Sequence, residues 1–452
     1  MFFRRKAYVK LLQWKELAAG TSAVLLEGAR RIGKSTIVEE FAKNEYDDYM
    51  ILDFARENRD VQNLFIDDMD DLDSFFRNLF LLKGRDLKGK NCVLIFDEVQ
   101  LFPKARQAIK YLVADGRYDY IETGSLMSIK KNVQDILIPS EERHIRMYPM
   151  DFEEFLLALG NDTLMGIIKK CFTENKPMGQ SMHRKAMDYF RQYLIVGGMP
   201  QAVQEYVLSK DFDKVDKIKR DILTLYRADI MKHASGYEIK VASIFDEIPS
   251  QLQKHEKKFK LSSISKEARL RDYEDALFWL EDAMIVNICY NSTAPSIGLK
   301  LNMDRMTLKC YMADTGLLIS HAFDENGIVS EELYKKLLFD KLEVNKGMIV
   351  ENIVAQMLVA SGHKLYFYSC SCREDKEERM EIDFLIAKSK TSNRHNISPI
   401  EVKSSKNYTI TSLKKFIRKF DQQTNIPYVL HTGDLKEENG IVFLPLYMTP
   451  LL

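Results

Sequence analysis

The run Gly28-Ala29-Arg30-Arg31-Ile32-Gly33-Lys34-Ser35 admits few folds. A glycine, four variable residues and then Gly-Lys-Ser is the P-loop spacing. Its flanks agree with that reading. Ala23-Val24-Leu25-Leu26 ahead of it is a short apolar run of strand type, and Ile37, Val38, Phe41 and Ala42 behind it recur at helical spacing. A strand, a tight glycine loop and a helix start direct successive backbone N–H groups and the positive end of a helix dipole at one point. Such a point attracts a phosphate. Gly28, Ala29, Arg30, Arg31, Ile32, Gly33, Lys34, Ser35 and Thr36 are therefore expected to bind a nucleoside triphosphate. Lys34 would reach its β/γ-phosphates and Ser35 would offer a hydroxyl to Mg²⁺. A glycine turn before an amphipathic helix is the plainer alternative, but it leaves the fixed positions unexplained.

A chain of 452 residues suggests two to four domains, at about 100–200 residues per domain. With 46% hydrophobic and 29% charged residues it has the balance of a globular protein with ample core. Formal net charge is zero, so affinity for nucleic acid would need a local patch. The start, Met1-Phe2-Phe3-Arg4-Arg5-Lys6, lacks the apolar stretch of a signal peptide, and no run of apolar residues is long enough to span a membrane. Six scattered cysteines, such as Cys92 and Cys289, sit mostly in apolar segments and read as reduced core thiols. Cys370 and Cys372 lack a second Cys/His pair, so no zinc site is expected there. The expected location is cytoplasmic, without membrane contact.

The first 150 or so residues alternate strand-like and helix-like segments. Strands are expected at Ala23–Leu26, Tyr49–Asp53, Val93–Phe96 and Tyr120–Glu122, which argues for a parallel sheet wrapped by helices. From Asp151 to about Ile248 the pattern turns helical, with a turn at Val196-Gly197-Gly198-Met199-Pro200. Leu252 to Tyr290 suggests a small helical unit followed by a strand pair. Further on, a helix Met348–Ala360, strands Tyr366–Tyr368, Ile382–Ile386 and Pro399–Val402, and a helix near Leu413–Phe420 make a second α/β unit.

Asp97-Glu98 ends the apolar run Cys92–Phe96, where a buried strand reaches the carboxyl edge of an open α/β sheet. Asp97 is placed to hold Mg²⁺ through water or through Ser35, and Glu98 to orient an attacking water. Thr123 and Ser125, after the strand Tyr120-Ile121-Glu122, could act as a sensor of the γ-phosphate, or merely cap a helix. Arg143 and Arg146 lie beyond the expected core and are candidates for an arginine finger serving a neighbouring subunit.

Leu26–Ser35, Phe96–Gln100, Thr123-Gly124-Ser125 and Tyr148-Pro149-Met150-Asp151-Phe152-Glu153-Glu154-Phe155 together resemble a family of bacterial and archaeal AAA-type P-loop ATPases with a C-terminal domain of unknown function. Gly197-Gly198-Met199-Pro200 and Ala313-Asp314-Thr315-Gly316-Leu317-Leu318 are similar to further hallmarks, so the resemblance covers nearly the whole chain. It implies an α/β fold: a P-loop parallel-sheet ATPase core over residues 1–150 and a helical lid over 151–248. A winged-helix module over 249–330 and a restriction-endonuclease-like α/β domain over 331–452 complete it. It implies no substrate.

Glu401-Val402-Lys403 is the next most telling cluster, because residues two apart on a strand share a face. Asp383 lies on a preceding strand, joined through a turn at Lys388–Asn396, and Glu351 lies on the helix upstream. Helix Glu, strand Asp, then Glu-x-Lys is the order of PD-(D/E)xK nucleases, which these residues resemble without a gap. Glu351, Asp383 and Glu401 would supply hard oxygen ligands to Mg²⁺, and Lys403 would position the activated water. The plainer alternative is a solvated strand face whose charges pair. Folds also outlive their chemistry, so cleavage does not follow from the pattern.

Residues Lys254 to Arg271 hold seven Lys/Arg (Lys254, Lys257, Lys258, Lys260, Lys266, Arg269 and Arg271) against Glu256 and Glu267. That suits the front of a winged helix meeting DNA phosphates. The helix expected next, Asp272–Asp282, carries Asp272, Glu274, Asp275, Glu281 and Asp282 and no base, which would repel a major groove. The expected protein is thus an ATP- and Mg²⁺-dependent ATPase coupled to a nuclease-like domain and acting on or near DNA. Two alternatives stand beside it: a nucleotide-operated switch that binds a protein partner or assembles into oligomers without cutting, and an active DNase gated by ATP.

Overall fold

The computed structural model describes residues 2–125, 136–254, 258–264, 269–296, 298–323, 334, 336, 346–372, 375, 377–387, 397–405 and 407–452. The turn expected at Lys388–Asn396, the boundary near residue 330, and Glu256, Lys257, Lys266 and Glu267 of the basic segment lie outside them. The chain forms two compact units, Met1–Tyr148 with Asp282–Met284, and Pro149–Glu281 with Ile285–Leu452.

The first unit alternates α1 (Lys6–Ala18), β1 (Ala23–Gly28), α2 (Lys34–Glu45), β2 (Asp48–Asp53), α3 (Arg59–Asp67) and α4 (Leu72–Lys83). It continues through β3 (Cys92–Asp97), α5 (Pro103–Asp115), β4 (Asp119–Gly124) and β5 (Glu142–Met147). Its sheet has the order β2-β3-β4-β1-β5, and every pairing is parallel. Ala23–Leu26 and Cys92–Phe96 are buried along their length, as strands covered on both faces must be. Phe54, Phe65, Phe75 and Phe96 pack against the sheet edge to face, with ring centroids 5.0–5.8 Å apart. Each such contact adds about 0.5–1.5 kcal/mol beyond its burial.

Strand β5 differs from the expectation that Arg143 and Arg146 follow the core. It lies in the sheet beside β1, from Ala23 opposite Glu142 to Gly28 opposite Met147. Its sequence, Glu-Arg-His-Ile-Arg-Met, offers no continuous apolar run because it is an edge strand. Only Ile145 and Met147 are buried, which a strand with one solvated face permits.

The second unit begins with α6 (Phe152–Ala158), α7 (Asp162–Glu174), α8 (Gln180–Val196), α9 (Pro200–Ser209), α10 (Phe212–His233) and α11 (Glu238–Gln253). Helix α12 (Glu274–Asp282) precedes β6 (Val286–Ser292), β7 (Met303–Met312) and α13 (Thr315–Ala322). Then come α14 (Lys346–Ala360), β8 (Tyr366–Cys370), β9 (Met380–Ala387), β10 (Ile397–Val402), α15 (Thr411–Lys419), β11 (Tyr428–His431), β12 (Lys436–Glu438) and β13 (Ile441–Pro445). These strands make one mixed sheet in the order β12-β13-β11-β10-β9-β8-β6-β7. The strand pair β6–β7, expected within a winged-helix module, therefore continues the C-terminal sheet, with Tyr290 of β6 parallel to Tyr366 of β8.

The motif segments of this unit meet in a buried polar seam. Asp151 opens α6 with a reciprocal capping box to Glu154. Asp314 caps α13 through Leu317 N (2.9 Å) and also accepts from Gly198 N (2.6 Å). Met150 N donates to Gly198 O (2.7 Å), and Tyr193 Oη donates to Met150 O (2.8 Å). Gln356 on α14 donates to Tyr193 Oη (3.1 Å) and accepts from Thr315 N (2.8 Å). Each buried polar group thus finds a partner, without which it would cost about 1–3 kcal/mol.

A Cβ on Gly198 would stand 2.2 Å from Met150 O, a contact no backbone tolerates. Gly166, inside α7, has no heavy atom within 4 Å of where its Cβ would be. Gly198→Ala is expected to destabilise the second unit by about 3 kcal/mol or more. Gly166→Ala is expected to stabilise it by about 0.5–1 kcal/mol. Urea-unfolding midpoints of the two variants check both signs.

Candidate functional site

In the first unit, β1 runs into the loop Gly28–Gly33, and Gly33 turns the chain into α2 with φ 92°, a conformation suited to glycine. Arg31 also has positive φ (67°), a turn conformation of the kind that lets successive amides face one anion. Ala29 and Ile32 are buried and anchor the loop, while Arg30, Arg31, Ser35 and Thr36 are exposed. A Cβ on Gly28 would meet Met147 O at 2.5 Å, so β5 can lie this close only beside glycine. Lys34 folds over the loop, its Nζ donating to Gly28 O (2.9 Å) and Ala29 O (3.1 Å). Burial pushes the Lys34 ammonium down to about 8, with Glu98 and Asp97 partly restoring it.

Asp97 at the end of β3 ties three elements together. Ser35 Oγ on α2 donates to its Oδ1 (2.9 Å), and Thr123 Oγ1 on β4 donates to the same oxygen. Burial raises the Asp97 carboxyl; these two hydrogen bonds pull it back, and Glu98 and Asp53 raise it again. Thr123 Oγ1 also accepts from Glu98 N (3.3 Å). Glu98 holds a left-handed backbone (φ 54°, ψ 43°), which costs a non-glycine residue about 1 kcal/mol or more and marks a built position. Its Oε2 accepts from Gln100 Nε2 (2.5 Å), which also reaches Ser125 Oγ (3.4 Å). Lys34, Ser35, Asp97, Glu98, Thr123 and Ser125 are thereby brought to one edge of the sheet.

Arg143 and Arg146 point elsewhere. Arg143 is exposed on β5, and Arg146 pairs with Glu27 at 3.6 Å. Among the described residues, no hydrogen bond or ion pair joins either to Lys34, Ser35, Asp97 or Glu98. The sequence reading also gave no role to Gln100 or to Arg5, whose guanidinium clamps Ile32 O (3.1 Å) and Tyr148 O (2.7 Å). One basic residue in the run Arg4-Arg5-Lys6 carries no signal of such a contact. Nor did it foresee a charged layer under β5. There Arg106 pairs bidentately with Glu142 (2.8 and 2.7 Å), and His144 bridges Glu142 and Glu27.

In the second unit, Glu351 stands on α14, Asp383 on β9, Glu401 on β10 and Lys403 just beyond it. Lys403 Nζ lies 3.0 Å from Glu401 Oε1, as the shared strand face requires. Among the described residues Glu401 Oε2 is buried without a hydrogen-bond partner, and burial lifts this carboxyl to about 7, Lys403 opposing and Asp383 adding to the rise. Asp383 Oδ2 accepts from Val402 N (2.8 Å). Beside Glu351 and Asp383 stands a residue the sequence reading overlooked. Lys309 Nζ on β7 lies 3.2 Å from Glu351 Oε1, 2.9 Å from Glu381 and 3.9 Å from Asp383. Burial opposes its charge, but Glu351, Glu381 and Asp383 outweigh burial and hold the ammonium above its ordinary value. Its signal was a charged residue inside Leu308-Lys309-Cys310-Tyr311-Met312, because a lysine in a buried strand must find carboxylates.

Among the described residues, no group of three or more His, Cys, Asp or Glu is arranged to hold a metal ion. The six cysteines are all free. No helix of the described residues is long and apolar enough to cross a membrane. Of the basic segment, Lys254, Lys260, Arg269 and Arg271 are exposed, and the acidic α12 follows with Glu274 3.9 Å from Arg305.

Residues 20–156 match a family described as an AAA domain. Residues 187–326 and 346–448 match two domains of unknown function, DUF8612 and DUF4143. No match is found among curated proteins. Similar solved structures include the Drosophila ORC bound to DNA, at 11% identity and TM-score 0.28, over 67% of this chain and 91% of that one. The Saccharomyces cerevisiae Hsp104–ADP complex aligns at 13% identity and TM-score 0.29, over 62% of this chain and 39% of that one. A signal-transduction ATPase of the STAND class with a tetratricopeptide sensor, from Pyrococcus horikoshii, aligns at 11% identity and TM-score 0.26, over 78% and 48%. This chain thus spans less than two thirds of the Hsp104 and STAND chains. At TM-scores this low, none of the three bears on what this chain does. The parallel five-stranded sheet and its loop lie within the residues that match the AAA domain.

His144 makes the first unit sensitive to pH. Hydrogen bonds to Glu142 and Glu27 raise its imidazole from 6.5 to about 9. A raised folded-state pKa adds stability that is complete below 6.5 and is lost as pH climbs through about 9. His144 is half exposed, so screening holds the effect to about 1 kcal/mol or less. His144→Gln is expected to flatten the fall in unfolding free energy as pH rises from 7 through about 9, measured by chemical denaturation.

Proposed function

We propose that the first unit binds ATP with Mg²⁺ and hydrolyses it. The single observation that carries this reading is Ser35 Oγ at 2.9 Å from Asp97 Oδ1, beside the glycine loop that opens α2. The residues present fit the group: an exposed hydroxyl and a carboxylate share one edge with a lysine that already seeks oxygen acceptors. Gly28 to Thr36 would hold the triphosphate, with Lys34 exchanging the carbonyls of Gly28 and Ala29 for phosphate oxygens. Ser35 and Asp97 would hold Mg²⁺, which when bound offsets phosphate charge. Glu98 would orient the attacking water, and Thr123 keeps Asp97 and Glu98 in register. Arg143 and Arg146 could serve only a second copy of the chain, as arginine fingers in an oligomer.

The reading extends to a helical lid over 151–248, a winged-helix-like module over 249–330 and a PD-(D/E)xK nuclease-like domain over 331–452. The order Glu351, Asp383, Glu401, Lys403 supports the last of these. DNA would meet the basic segment 254–271 through its phosphates. One observation favours the second reading, a nucleotide-operated switch whose C-terminal domain binds a partner without cleaving: the ammonium of Lys309 stands among the carboxylates. A cytoplasmic setting is part of the same reading.

Lys34→Ala is expected to abolish ATP binding in a fluorescent-nucleotide titration. Glu98→Gln is expected to keep binding but lower turnover by about 10²–10³-fold. Wild-type turnover in Lys34→Ala would sink the assignment. Because Lys34 is held at about 8, ATP affinity should weaken as pH rises beyond that value, approaching tenfold per unit (about 1.4 kcal/mol) where deprotonation is complete. Calorimetric titrations at two pH values on either side check that slope.

A further inference from the structure

The cation that balances the C-terminal carboxylates belongs to the chain. Lys309 Nζ contacts Glu351 Oε1 (3.2 Å), Glu381 Oε1 (2.9 Å) and Asp383 Oδ1 (3.9 Å). Glu351 Oε1 also accepts from Tyr311 Oη, on the same strand. The remaining side of the ammonium is closed by the Phe367 ring, whose centroid is 5.0 Å away. Lys309 is 1% exposed, and its backbone is held in the β6–β7 ladder opposite Cys289. The lysine has no route to solvent that leaves Glu351, itself 4% exposed, neutralised.

We propose that Lys309 is a built-in monocation standing where a nuclease of this architecture holds its divalent metal, so that Glu351, Asp383 and Glu401 take up no Mg²⁺ and the domain does not cut phosphodiesters. The proposal rests on the nuclease-like reading of this domain. Two physical facts support it. Glu351, Glu381 and Asp383 surround the Lys309 ammonium while Glu401 pairs with Lys403 at 3.0 Å, and the described residues contain no group of three arranged for a metal. Asp383 Oδ2 is already engaged by Val402 N (2.8 Å), which leaves its other oxygen facing Lys309. A divalent ion would have to enter beside a positive charge that is fixed by packing, where Coulomb repulsion at low dielectric is severe.

The test uses the full chain without nucleotide, with Asp97→Asn to remove the N-terminal ligand and Mn²⁺ as the probe, followed by electron paramagnetic resonance. The parent is expected to bind no Mn²⁺ at millimolar concentration, and Lys309→Met, which keeps length and removes charge, is expected to gain one site. If Lys309→Met lowers the melting temperature, Mn²⁺ should restore it, while leaving the parent unchanged. A parent that binds Mn²⁺, or nicks plasmid with Mg²⁺, and loses this in Asp383→Asn overturns the inference and leaves the nuclease-like reading standing. A folded Lys309→Met chain that takes no Mn²⁺ overturns the inference and the nuclease-like reading together. Loss of folding in Lys309→Met that Mn²⁺ does not reverse also overturns it, because the lysine is then not replaceable by a metal.

Discussion

One carboxylate oxygen organises the first unit's functional edge. Asp97 Oδ1 receives the hydroxyls of Ser35 and Thr123, which come from α2 and β4. That oxygen ties the start of α2 to the ends of β3 and β4 at the sheet edge. The surrounding features follow from it. Glu98 is forced into a left-handed turn directly after Asp97, and Thr123 spends its second hydrogen-bonding position on Glu98 N. Gln100 then holds the Glu98 side chain, so the carboxylate expected to orient water is tethered at both its backbone and its head.

The chain carries two acidic clusters, and their surroundings separate them. Around Asp97 the neighbouring groups are hydroxyls, and Ser35 is exposed, so the carboxylate faces an edge that a solvated cation can approach. Around Glu351 the neighbour is an ammonium that is buried, boxed by an aromatic ring and tied to a strand. Similar residue types therefore have opposite electrostatic outcomes. A carboxylate beside hydroxyls retains charge for a metal to use, whereas one beside a fixed lysine has spent it.

The second unit is held together by side chains whose partners are far away in sequence. Asp314 reaches Gly198, Gln356 reaches Tyr193, and Tyr193 reaches Met150. Glu351 and Gln356 lie on the same helix, so the carboxylate cluster and the polar seam share α14 as a common support. The seam also accounts physically for motif residues that look unremarkable as letters. Gly198 is required by the proximity of Met150 O, and Asp314 by two backbone amides that would otherwise be buried without partners.

What could be read from the amino acids alone was what short-range patterns encode. Strands β1 to β4, the loop Gly28–Gly33 and helix α2 were legible because an apolar run, glycine spacing and helical periodicity all act within a dozen residues. The pairing of Glu401 with Lys403 was legible for the same reason. Strand β5 was hidden because an edge strand needs only alternate apolar residues, and the membership of β6 and β7 in the C-terminal sheet because strand pairing leaves no local mark. The contacts of Arg5, Gln100 and Lys309 join residues distant in the chain, and only the folded structure chooses their partners. A buried charge announces that it needs a counter-charge; which carboxylates answer is a property of tertiary packing, and that choice sets hydroxyls beside Asp97 and a lysine beside Glu351.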